Sequence, residues 1–75
     1  MSIVVWSKDA CPQCDQAKNI LKQRGMTFEE RKIGQGWTRE QLLAAAPTAR
    51  SVPQIFSSDD LIGGVTDLIQ YLNKN

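Results

Sequence analysis

Two cysteines, held two residues apart in Cys11-Pro12-Gln13-Cys14, constrain this chain more than any other feature, and it has no further cysteine and no histidine. A short apolar run, Ile3-Val4-Val5-Trp6, comes just before the pair, and a helical pattern follows directly. A strand feeding a helix whose first turn carries C-x-x-C is the arrangement of a dithiol redox motif. The physical reason lies in the helix end. Its first backbone N–H groups have no intrahelical partner and together carry roughly half a positive charge. A thiolate placed there is stabilised, and the pKa of such a cysteine falls from about 8.5 towards roughly 3.5–7.5. Cys11, nearer the tip, is expected to be the exposed nucleophile. Cys14, deeper in the helix, is expected to be more buried and to resolve a mixed disulfide. Pro12 suits the first helical position, where a missing N–H costs nothing.

Other uses of a cysteine pair fit less well. A structural disulfide closing so short a loop would restrain the unfolded chain far less than the ~3 kcal/mol of a 15-residue loop. A structural zinc ion normally takes four Cys or His ligands. One chain cannot supply them, although two chains could share a metal. Nine basic and eight acidic residues leave a net charge of +1, so neither nucleic acid nor a membrane surface is an expected partner. No apolar run approaches the ~18 residues of a membrane span, and no charged-then-apolar leader opens the chain. The expected compartment is therefore the cytoplasm, where a vicinal dithiol is kept reduced and works catalytically. The 75 residues, 1–75, read as one small domain without repeats or linkers.

The pattern along the chain predicts βαβ, then α, then ββα: an α/β fold with a four-stranded mixed sheet flanked by three helices. Ile3 to Trp6 has no polar alternation, which suits a central strand buried on both faces. From Cys14, Ala17, Ile20 and Leu21 recur at helical spacing, while Asp15, Lys18, Asn19 and Lys22 are expected to face water. Gly25 is placed to end that helix in a left-handed conformation. Phe28 to Ile33 reads as a second strand whose charges blunt a sheet edge. Gly34 to Gly36 is a loop. Thr38 and Gln41 form a capping box, with Trp37 and Leu42 placed for the accompanying staple, and Pro47 closes the helix. Gln54-Ile55-Phe56 is a third strand, Ser57 to Asp60 a turn, and Leu61-Ile62 a fourth strand. Val65, Leu68, Ile69 and Leu72 give the last helix an apolar face.

Three other stretches carry chemistry-bearing residues. Val52-Pro53 either marks a strand boundary or is a cis peptide leaving the Val52 backbone ready for an extended ligand. Gly63-Gly64 permits close backbone approach, and the N–H groups of Val65, Thr66 and Asp67 would point at an anion; Thr66 is also a possible helix cap. Lys8 is placed to favour the Cys11 thiolate or to meet a substrate carboxylate.

Trp6-Ser7-Lys8, Cys11-Pro12-Gln13-Cys14, Ser51-Val52-Pro53-Gln54-Ile55-Phe56 and Ile62-Gly63-Gly64-Val65-Thr66-Asp67 stand in the order and spacing of glutaredoxins, which the chain resembles over nearly its whole length. The resemblance implies a thioredoxin-like fold and a cis Pro53. It also implies a glutathione-disulfide oxidoreductase working through Cys11 and Cys14, with glutathione as co-substrate and no metal. Glutathione is then held by Lys8, Val52, Pro53, Gly64, Val65, Thr66 and Asp67, with a further contact from Arg39 or Gln41. The partners implied are disulfide-containing or glutathionylated proteins, ribonucleotide reductase among them, acting on a monomer. Gln13 departs from the aromatic residue common at that position. Ser7 to Cys14 is also similar to the redoxins dedicated to ribonucleotide reductase, which draw on thioredoxin reductase. Ile62 to Thr66 is instead the glutathione-type turn, and the reading follows it. A dimer bridging an iron–sulfur cluster through two Cys11 thiolates and two glutathiones is the alternative from the binding class.

Overall fold

The computed structural model describes residues 2–74. β1 (Ile3–Ser7) pairs in parallel with β2 (Glu29–Lys32) and antiparallel with β3 (Gln54–Ser57), which pairs antiparallel with β4 (Asp60–Gly63). The sheet order is β2-β1-β3-β4, so the charged β2 does lie at an edge. Alternation then assigns each residue of β1 to a face. Ile3, Val5 and Ile55 join Ala17 and Leu21 of α1 (Pro12–Gln23) and Leu68 and Leu72 of α3 (Val65–Lys74) in one core. Trp6 and Phe56 join Leu42 of α2 (Arg39–Ala45), Ala46 and the flanking Trp37 in the other. Leu21 and Leu68 are wholly buried, and each such side chain contributes roughly 1.5–3 kcal/mol. The mixed four-stranded sheet with three helices is what the pattern predicts, and it is the thioredoxin-like fold that the resemblance implies.

The helix ends are set by local chemistry. α1 stops in a Schellman motif: Gly25, at φ +69°, donates to Lys22 O, and the next N–H, from Met26, reaches back to Leu21 O. Met26 packs on the α1–α3 core beyond it. α2 begins in the expected capping box, with Thr38 Oγ1 accepting from Gln41 N and Gln41 Oε1 accepting from Thr38 N. Its last cap is Ala46, one residue before Pro47.

Several expectations are corrected. β2 is shorter than Phe28–Ile33, and Ile33 makes only an isolated bridge to Trp37. Ser57 and Asp60 pair across the hairpin rather than forming its turn, which lengthens β3 and β4. Ile69 lies off the buried stripe of α3 and is 39% exposed. Lys18 does not face water: it lies over the sheet edge and donates to Glu30 at 2.8 Å.

The charges of β2 have specific partners as well as an edge to protect. Glu30 sits opposite Val5 and so shares the α1 face, where it accepts from the buried Ser7 Oγ at 2.6 Å and from Lys18. The hydrogen bond from the Lys18 ammonium, then that from Ser7, holds the Glu30 carboxyl below its ordinary value, and Lys18 is raised by the same pairing. Arg31, opposite Trp6, shares the α2 face. Its guanidinium lies 4.4 Å from the centre of the Trp37 ring and 5.4 Å from that of Trp6 while it holds Glu29.

Candidate active site

The register Trp6↔Gln54 puts the end of β1 beside the start of β3, and Ile55↔Gly63 brings the end of β4 to the same side. Three connections therefore meet there: the loop from β1 to α1, the segment leading into β3, and the junction of β4 with α3. They enclose a groove of about 650 Å³ lined by Lys8, Cys11, Val52, Pro53, Gly64, Val65, Thr66 and Asp67. These are all the candidate site residues named from the sequence except Cys14 and the alternative contacts Arg39 and Gln41. Ala10, Pro12, Gln13, Ser51 and Gln54 complete the wall. Gln54 Nε2 donates to Ser51 O at 2.9 Å, tying down the approach to Pro53. Only its adjacency to the Val52-Pro53 pair could have pointed to Gln54.

Cys11 and Cys14 are joined by a disulfide. Cys11 is the N-cap of α1 rather than part of its first turn, with extended backbone at φ −123° and ψ 95°. Its Sγ accepts from Cys14 N at 3.1 Å, in the place where a serine or aspartate oxygen ordinarily caps a helix. A sulfur anion at that position keeps the hydrogen bond and gains the helix-end potential. Pro12 occupies the first helical position as expected. Ala10 turns the chain into the cap at φ +53°, a left-handed conformation that costs a non-glycine residue roughly 1 kcal/mol. The exposed nucleophile is corrected here: Cys11 is only 6% exposed and Cys14 1%. Both sulfurs are covered in the disulfide, yet Cys11 is the one that borders the groove. Its Sγ lies 3.8 Å from the Val52 carbonyl oxygen. The Val52–Pro53 peptide bond is cis.

At the far side of the groove α3 begins at Val65, so Thr66 is not its cap. Gly64 stands in the cap position, and Asp67 in the first turn reaches back to it, its Oδ2 accepting from Gly64 N at 3.2 Å. Of the two glycines, Gly63 is the one this turn requires. It has φ +122°, and a Cβ there would run into the Asp67 carboxylate. A Cβ on Gly64 would meet only Pro53 O, at 3.8 Å.

Beside the groove lies a smaller recess of about 160 Å³ that shares Lys8, Ser51 and Val52 with it. Arg39 lines this recess and not the groove itself, whereas Gln41 is occupied in the capping box. The lining of Arg50 was not foreseen.

The fold and the dithiol meet in one family. The model described as glutaredoxin matches residues 3–62. The chain belongs to the glutaredoxin family. A probable glutaredoxin of Synechocystis is 42% identical over 69 residues, covering 91% of this chain and 76% of that protein. Glutaredoxin 3 of Escherichia coli K12 is 35% identical over 68 residues, covering 89% of this chain and 81% of its own. Among solved structures, the buckwheat glutaredoxin–glutathione complex superposes with a TM-score of 0.81 at 25% identity, covering 96% of this chain and 68% of that one. A glutaredoxin with a C-x-x-C pair is a thiol–disulfide oxidoreductase, and here the two cysteines are within bonding reach. Among the described residues, no helix is long and apolar enough to cross a membrane.

Proposed function

We propose that this glutaredoxin reduces protein disulfides and glutathione mixed disulfides, with glutathione as the reductant. One observation carries the reading: the sulfur that borders the groove lies between a cation and a helix N-terminus that also carries a carboxylate. Lys8 lies on the side shared with the smaller recess, and Thr66 and Asp67 lie where α3 begins. Glutathione has a carboxylate at each end and an ammonium group beside one of them. The N–H groups opening α3 suit the γ-glutamyl carboxylate, Asp67 suits the ammonium, and Lys8 suits the glycyl carboxylate. Gly64 and Val65 leave the peptide room, and Val52 beside Pro53 offers it backbone. That a buckwheat relative forms a complex with glutathione supports glutathione as the ligand.

In the proposed cycle the Cys11 thiolate attacks the sulfur of a glutathionylated or disulfide-bonded protein. The displaced thiolate leaves and takes up a proton. Where a protein remains attached to Cys11, the Cys14 thiolate attacks the Cys11 sulfur, closes the intramolecular disulfide and releases the reduced protein. One glutathione then opens that disulfide by bonding to Cys11, and a second removes the first as glutathione disulfide. Two glutathiones are oxidised for each protein disulfide reduced, and one for each glutathione mixed disulfide, whose own glutathione becomes the other half of the glutathione disulfide.

Removing glutathione from a protein needs only the nucleophile, because a second glutathione releases the product. Cys14→Ser should therefore retain deglutathionylation of a glutathionylated peptide, and Cys11→Ser should fall to the uncatalysed background. Steady-state rates coupled to glutathione reductase measure both. Equal loss in the two variants would reject the assignment.

A further inference from the structure

Cys14 has to leave the disulfide as a thiolate from a place that water does not reach. It is 1% exposed, and a thiolate buried without a countercharge is strongly disfavoured. The end of α1 serves the other sulfur, since the Cys14 N–H is directed at Cys11 Sγ. Lys18 stands one turn further along α1, on the same side of the helix as Cys14. Helical side chains lean towards the N-terminus, and the 3.6 Å contact of Lys18 Nζ with Asp15 Oδ1 shows that this one does. The ammonium therefore lies level with the turn that carries Cys14. Of the nine basic residues six are exposed, while Arg31 lies on the opposite face of the sheet and Lys32 is drawn to Asp9 in the β1–α1 loop. That leaves Lys18 as the half-buried cation against α1, its side chain 18% exposed. It is held there by Glu30 at 2.8 Å, which the buried Ser7 Oγ fixes in turn at 2.6 Å. From α3 the shared core receives Val65, Leu68, Leu72 and Tyr71, whose hydroxyl donates to Ser57 Oγ at 3.1 Å.

We infer that Lys18 is a positioning residue for the resolving cysteine: held by Glu30 and Ser7, its ammonium supplies the positive charge against which the Cys14 thiolate forms. The inference rests on the exchange between Cys11 and Cys14, and not on which thiol reduces their disulfide. When that disulfide opens, an incoming thiolate bonds to Cys11 Sγ and the bond to Cys14 breaks. Cys14 keeps the electron pair and then takes a proton from solvent. In the resolving direction the Cys14 thiolate bonds back to Cys11 Sγ and expels the substrate as a thiolate, which is protonated. One charge serves both directions. A more stable Cys14 thiolate leaves faster, and at neutral pH more of Cys14 is in the form that attacks. Glu30 tempers the effect, because it anchors the ammonium while carrying the opposite charge.

Titrating Cys14 alone tests this, in a Cys11→Ser background where a serine oxygen takes over the helix cap. Thiolate absorbance is read against the double variant Cys11→Ser, Cys14→Ser, which cancels the ionisation of tyrosine. Lys18→Met keeps the apolar stem and removes the charge, so the acid dissociation constant of Cys14 should fall roughly threefold to tenfold. Lys18→Arg, which keeps the charge, should restore most of that loss. Glu30→Gln retains an acceptor for Lys18 and removes the opposing charge, so the dissociation constant should rise instead. A merely structural link between α1 and β2 would move Lys18→Met and Glu30→Gln in the same direction. With both cysteines present, dithiothreitol should open the disulfide of Lys18→Met roughly threefold more slowly than that of the parent. An unchanged Cys14 titration in Lys18→Met, or shifts of the same sign in Lys18→Met and Glu30→Gln, would overturn the inference. Failure of the glutathione reading shows itself separately: Cys14 then titrates as expected and dithiothreitol opens the disulfide, while glutathione does not.

Discussion

At Gly63 and Gly64 two adjacent glycines do different work, and only one is explained by the protein alone. Gly63 stands at a positive φ with its Cβ position against the Asp67 carboxylate, so a side chain there is excluded by the turn itself. Gly64 has open space around its Cβ position apart from Pro53 O, and its conformation lies outside the left-handed region. Gly63→Ala should lower stability by about 1–3 kcal/mol through strain and collision. Gly64→Ala should leave the thermal midpoint nearly unchanged yet raise KM for glutathione, because its methyl group enters the groove where the peptide would lie. Thermal melting and glutathione kinetics on the two variants separate the effects. An unchanged KM in Gly64→Ala would mean that glutathione does not pass over this turn.

At the level of elements, the pairing of Lys18 with Glu30 fastens α1, the helix that carries both sulfurs at its start, to the edge strand β2. Ser7 Oγ brings the end of β1 into the same link. Because the Glu30 carboxyl is held below its ordinary value, its contribution is fully present above the unfolded value. It is lost as pH falls through the lower folded one. Lys18, being raised, contributes fully below its ordinary value and loses its contribution only as pH climbs above it. Near neutrality both act. Glu30→Gln should cost about 0.5–1 kcal/mol at about pH 7, and the difference from the parent should shrink at an acid pH, as the pH falls through the lowered folded value and Glu30 takes up its proton. Urea unfolding at the two pH values measures this. A deficit that is the same at both would show that packing, not charge, is what the carboxylate supplies.

Over the whole molecule, the legible part was whatever a local pattern could specify. The apolar run of β1, the spacing of Ala17 and Leu21, Gly25 as a helix stop and the Thr38–Gln41 box each carry a short-range signature, and each stands where that signature puts it. The groove was legible because its three walls are three such stretches. What was not legible depends on pairing between distant segments. The register Val5↔Glu30 sends Glu30 to Lys18, and Trp6↔Arg31 sends Arg31 to the two tryptophans. A run of four charged residues, Glu29 to Lys32, contains no hint of that division. Likewise the burial of Cys11 arises where the loop lies against Val52, forty-one residues away in sequence, and the recess at Arg50 exists only once α2 is packed.

We propose that glutathione is the electron source for the Cys11–Cys14 disulfide. The direct measurement presents the oxidised wild-type protein separately with glutathione plus glutathione reductase and with thioredoxin reductase, each driven by NADPH, and follows the appearance of free thiols. Rapid reduction by the glutathione system and little by thioredoxin reductase is the predicted result. Efficient reduction by thioredoxin reductase, with glutathione inert, would contradict it.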